Sequence, residues 1–192
     1  LLGVEADQPI LTEEARRAGF TNEGGVGGKI RFLQNITGLW LLQRLMAEWK
    51  EKGIDVSYDF LFGEAEKSSC GSVIDVDDDS FQNPSCMEEA IAAYCMKQGA
   101  DQPHSQGDYV RCILQSLALR YKKGIRQLNQ LLPQPVEQLV IIGGGSRNKL
   151  LNRLTAEATG IAVGTGPTEA TAAGNILMQA IAAGELAGRE NI

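Results

Sequence analysis

Residues Glu137 to Leu151, EQLVIIGGGSRNKLL, spell a strand, a tight turn and a helix start in that order. The β-branched run Val140-Ile141-Ile142 stops abruptly at Gly143, Gly144 and Gly145, and a small polar cluster then opens a helix-forming stretch. Glycines at such a turn let backbone approach a ligand closely, because no Cβ stands in the way. The helix that follows offers free N–H groups and a positive dipole end, which suits a nucleotide. The spacing is not a P-loop, since no Lys-Ser or Lys-Thr follows the glycines, and it is not G-x-G-x-x-G either. Taken alone, the turn is equally compatible with a packed β–α corner that binds nothing.

The remaining elements fill out an α/β chain. Leu1 to Val4 reads as a strand, Thr12 to Arg17 as a short helix, and Phe20 to Asn35 as a hairpin bent at its glycines. Ile36 to Lys52 has its apolar residues at helical spacing and ends at Gly53. A helix over Ser57–Lys67, a strand over Ser72–Asp79 and a helix from Ser85 to Lys97 follow, with Ser85 and Glu88 forming a capping box. The acidic run Asp75, Asp77, Asp78, Asp79 lacks the Gly and Glu of an EF-hand and reads as a solvated loop. A long helix from Ser105 to Leu131 stops at Pro133 and Pro135, and a β-α-β-α unit closes the chain.

Length and charge narrow the function. A chain of 192 residues can bury one core, and a net charge of −6 argues against nucleic acid or an anionic membrane bound through a basic face. No apolar stretch is long enough to span a bilayer, and no secretory leader is apparent. Cys70, Cys86, Cys95 and Cys112 form no C-x-x-C, so reduced thiols and a cytoplasmic setting are the expectation. Cys95 and Cys112 fall on two predicted helices, which leaves a helix-to-helix disulfide open.

The pair GGGSRN and EATAAGN, about twenty residues apart, resembles the C-terminal end of the FGGY carbohydrate kinases. The stretch Arg31 to Gln43, RFLQNITGLWLLQ, is similar to the branch of that family acting on L-rhamnulose. The resemblance covers nearly the whole chain. It implies an actin-like, ribonuclease-H-like ATPase fold, with residues 1–192 forming the second, nucleotide-side domain. It implies ATP and Mg²⁺ as cofactors and L-rhamnulose as the sugar. Gln43, Gly143, Gly144, Gly145 and Asn148 would lie on the ATP side, Asn35 on the sugar side. No metal ligand and no catalytic base are expected here, the base belonging to a first domain. Open alternatives are another sugar kinase of the family, for xylulose, fuculose, gluconate or glycerol, and a non-catalytic nucleotide-binding module of the same core. The apolar start at Leu1, Leu2 and Val4 is expected to be a strand edge that drives self-association.

Overall fold

A computed structural model describes residues 1–187. Strands β1 (Leu2–Ala6), β2 (Phe20–Gly24) and β3 (Ile30–Gln34) form one antiparallel sheet in the order β1-β3-β2, with helix α1 (Glu13–Arg17) between β1 and β2. Helices α2 (Trp40–Glu51), α3 (Tyr58–Lys67), α4 (Met87–Lys97) and α5 (Gln106–Leu131) follow. Strand β4 (Gln138–Ile141), helix α6 (Lys149–Thr159), strand β5 (Ala162–Thr165) and helix α7 (Ala170–Ala182) complete the fold. Strands β4 and β5 pair in parallel as a second, separate sheet, Gln138 opposite Ala162 and Ile141 opposite Thr165.

Two apolar clusters make the interior. The larger joins α2 through Leu41, Leu42, Leu45 and Trp49 to α3, α4, α5 and α6. The smaller sets Leu2, Phe20 and Phe32 of the antiparallel sheet against Ile125 and Leu128 of α5, with the Phe20 and Phe32 rings stacked 4.8 Å apart. Helix α5 is about 39 Å long at the usual rise and serves both clusters. It starts on a complete capping box: Ser105 accepts from the Asp108 N–H, and Asp108 accepts from the Ser105 N–H. Gly124, in its C-terminal half, faces β1, and a Cβ there would collide with the Leu2 side chain.

Three expectations are corrected. Helix α2 begins at Trp40, not Ile36; Ile36, Thr37 and Gly38 are poor helix formers, and they stay irregular after β3. Residues 72–79 form no strand. Ser72, Ile74 and Val76 do alternate inward, but α5 side chains replace a ladder: Ser116 Oγ accepts from the Ile74 N–H at 2.9 Å, and Gln115 donates to the Ser72 carbonyl. Helix α4 is capped at Cys86 without a side-chain bond, and no Ser85–Glu88 box forms. The Glu48 carboxylate of α2 accepts from the Met87 N–H at 2.9 Å instead, while Glu88 accepts from Trp49 Nε1 at 2.8 Å and from Lys52. Tertiary partners outbid the local cap. All four cysteines are free thiols, with Cys95 and Cys112 buried.

Candidate active-site cleft

A cleft of ≈ 690 Å³ opens at the carboxyl end of β4, a size that suits a nucleotide. Its floor is the glycine turn. Gly143 has φ 75° and ψ −163°, a conformation essentially reserved for glycine, and its N–H donates to the Pro167 carbonyl at 3.1 Å. Ser146 N–H and Oγ both donate to the Gly143 carbonyl, at 3.0 and 2.7 Å, folding Gly144–Arg147 into a 3₁₀ turn. Gly144 is exposed, has ordinary φ, and a Cβ there would meet no atom within 4 Å. The backbone strain therefore belongs to Gly143, and Gly144 leaves open space on the ligand side.

Asn148 is the N-cap of α6: its Oδ1 accepts from the Leu151 N–H at 3.0 Å. That bond fixes the amide orientation and leaves Nδ2 without a partner, although the residue is 2% exposed and lines the cleft. An unpaired buried donor is costly, and a ligand acceptor would relieve it. Arg147 lines the same wall and reaches Thr168 Oγ1 at 3.3 Å, tying the turn to the loop before α7.

Across the cleft, Gln43 projects from the first turn of α2, with Thr37 and Gly38 of the preceding segment beside it. Helix α3 adds Asp59 and the rings of Tyr58 and Phe62, 5.7 Å apart. Strands β1 and β4 and the residues flanking them contribute Leu1 and Leu2, and Leu139 to Ile142. Gln43, Gly144, Gly145 and Asn148 are thus brought together on one cleft, with Gly143 shaping its turn. Asn35 is exposed, lies between β3 and α2 and is not part of the cleft lining, so it neither caps α2 nor shares a helical face with Gln43. The lone histidine, His104, is an exposed loop residue beside the α5 cap.

The sequence reading missed Thr37, Tyr58, Asp59, Phe62, Arg147 and Thr168. Arg147 stands inside the glycine motif, and its charge beside a helix N-terminus was the available signal. The α3 residues gave none, because their approach to the cleft depends on the packing of α3 against α5.

Asp77 is not merely solvated. Its carboxylate accepts from Thr37 Oγ1 at 2.7 Å and from Arg120 Nε. Burial pushes its pKa up, but the Thr37 hydroxyl and the Arg120 guanidinium outweigh that and hold it below the ordinary carboxylate range. Among the described residues, no group of three or more His, Cys, Asp or Glu side chains is placed to hold a metal ion, and no helix is long and apolar enough to cross a membrane.

The glycine turn, the α6 N-terminus and a cleft at a strand's carboxyl end agree with the C-terminal domain of the FGGY family of carbohydrate kinases, whose family model matches residues 1–183. The chain belongs to the FGGY family. It is 51% identical over 188 residues to the rhamnulokinase of Bacteroides thetaiotaomicron, covering 96% of this chain and 38% of that protein. Identity to the rhamnulokinase of Pectobacterium carotovorum is 43% over 187 residues, covering 97% and 37%; to that of Bacillus subtilis it is 42% over 187 residues, covering 97% and 38%. The chain therefore spans less than two fifths of the length of these relatives.

Proposed function

We propose that this chain is the nucleotide-side domain of an L-rhamnulose kinase, which moves the γ-phosphoryl group of ATP to a hydroxyl of L-rhamnulose and yields L-rhamnulose 1-phosphate. The observation that carries the reading is the convergence of Gly144, Gly145, Asn148 and Gln43 on one cleft, in a chain 42–51% identical to three rhamnulokinases. The whole chain, residues 1–192, serves as one domain of actin-like, ribonuclease-H-like type, acting in the cytoplasm.

Each residue has a role that its chemistry permits. The open backbone at Gly144 lets adenosine lie against the turn that Gly143 and Gly145 shape. Asn148 Nδ2 donates to an acceptor on the purine or ribose. Arg147 and the α6 N-terminus favour the anionic phosphates. Gln43 offers an amide to the ATP side, and the Tyr58 and Phe62 rings form an apolar wall for the base. Asn35, set back from the cleft, contacts sugar only once a second domain closes over it.

No side chain of this domain is assigned as the base that takes the hydroxyl proton; that group comes from the domain that completes the kinase. Among the described residues, the donor set does not form a resident metal site. Mg²⁺ is assigned to the ATP phosphates, which it binds readily with few protein ligands, where it neutralises charge.

A coupled ADP-release assay on the full-length kinase tests the reading, with L-rhamnulose compared against xylulose, fuculose, gluconate and glycerol. Turnover strongest with L-rhamnulose is expected, with none from residues 1–192 alone. Preference for another sugar would refute the substrate assignment, and sugar-dependent turnover by the isolated chain would refute the division of labour.

A further inference from the structure

We infer that Arg120 and Asp77 are positioning residues that hold the cleft wall between β3 and α2. Residues 35–38 of this wall belong to no helix or strand. Among the described residues, their backbone makes none of the backbone–backbone turn and loop hydrogen bonds found elsewhere. Yet Thr37 and Gly38 line the cleft, and Asn35 stands beside them. Something other than secondary structure must set their position.

The network that does so runs through one cation. Arg120 projects from α5 with its side chain 9% exposed. Its Nε donates to Asp77, and its terminal nitrogen donates to Gln34 Oε1 at 3.3 Å. Asp77 in turn accepts the Thr37 hydroxyl at 2.7 Å. Gln34 is 6% exposed and also donates to the Ala18 carbonyl and to Gln127. Arg120 thus grips the chain on both sides of Asn35: directly at Gln34, and through Asp77 at Thr37. The planar guanidinium suits this task, because its donors are fixed relative to one another and a lysine ammonium would lose that fork. The anchor is α5, the most deeply packed helix, so a loop with little order of its own inherits the rigidity of the core.

The structural part of this inference stands by itself; its effect on catalysis rests on the kinase reading above. Backbone ¹⁵N relaxation on residues 1–192 tests the first. Wild-type order parameters at Thr37 and Gly38 should be near ~0.85 and fall toward ~0.6 in Asp77→Asn and Thr37→Val, with α2 and α3 unchanged. Unchanged values at Thr37 and Gly38 would overturn the strut. Steady-state kinetics on the full-length kinase test the second. Each variant should raise the KM of at least one substrate about fivefold or more, and the double variant should be no worse than the worse single one, since both cut the same link. Lowered order with both KM values unchanged, or additive losses, would overturn the positioning role. A wild-type enzyme inactive on L-rhamnulose would refute the substrate assignment instead, and the relaxation data would still decide whether the strut exists.

Discussion

Replacing Gly143 and Gly144 one at a time by alanine should separate a residue that shapes the turn from one that faces the ligand. Gly143 sits at φ 75° and ψ −163°, and an added Cβ would find its nearest neighbour, the Thr168 carbonyl oxygen, at 4.0 Å. The penalty there is backbone strain rather than collision. Such a conformation costs a non-glycine residue about 1–3 kcal/mol, partly offset by lower chain entropy in the unfolded state. A net loss of roughly 1–2 kcal/mol corresponds to about 2–8 °C in Tm for a domain of this size. Gly144 has open space and ordinary φ, so Gly144→Ala should stay within about 0.5 kcal/mol of wild type. The bulkier Gly144→Val should likewise fold, and should raise the KM for ATP in the full-length enzyme. Urea unfolding of both alanine variants, with ATP kinetics on the valine variant, checks this. Equal stability losses at the two positions would refute the assignment of strain to Gly143 alone, and an unchanged ATP KM in Gly144→Val would remove the turn from the nucleotide site.

Other perturbations test separate parts of the structure. Asn35 is exposed and serves as no cap, so Asn35→Ala should leave Tm nearly unchanged while raising the sugar KM or lowering kcat by a factor equivalent to about 1 kcal/mol; a loss of Tm without a kinetic effect would contradict the sugar-side role. Burial pulls the Glu88 carboxyl up, but Lys52 and the Trp49 indole outweigh it and hold its pKa low. The stability Glu88 adds is therefore complete above its unfolded value, about 4.3, and fades as pH falls through the lower folded value. Urea unfolding should show wild type and Glu88→Gln differing at pH 7 and converging in acid; a constant gap would contradict this. Among the described residues β1 pairs only with β3, and Leu1 is 70% exposed, so light scattering over a concentration series should show self-association of residues 1–192, and a strict monomer would count against an open edge.

Local chemistry was legible where the local signal had no competitor. The helix starts at Thr12, Ser57 and Ser105 and the β4–turn–α6 unit all follow from neighbouring residues in the chain. It failed where a distant side chain satisfied the backbone instead. Period-two burial at Ser72, Ile74 and Val76 is the pattern of a strand, but Ser116 and Gln115 of α5 supply the hydrogen bonds that a partner strand would have made. Glu88 looked like a capping residue until Trp49 and Lys52 claimed it. The candidate site divided in the same way. The glycines and Asn148 could be found from their motif, whereas Tyr58, Phe62 and Thr37 reach the cleft only through packing between elements far apart in sequence.

The sharing of α5 by both apolar clusters bears on how the molecule comes apart. Neither cluster can melt while the other keeps its helix, so the sheet half and the helical half should unfold in one cooperative transition. Strands β4 and β5 and helix α7 stand outside that unit, for none of them contains a fully buried residue, whereas α6 contributes Leu150, Leu151 and Leu154 to the larger core. Their opening free energy should fall below the global one, as it does for elements with few buried contacts. The glycine turn marks that boundary: the α6 side shares the fate of the core, and the β4 side can breathe while the rest of the domain remains folded.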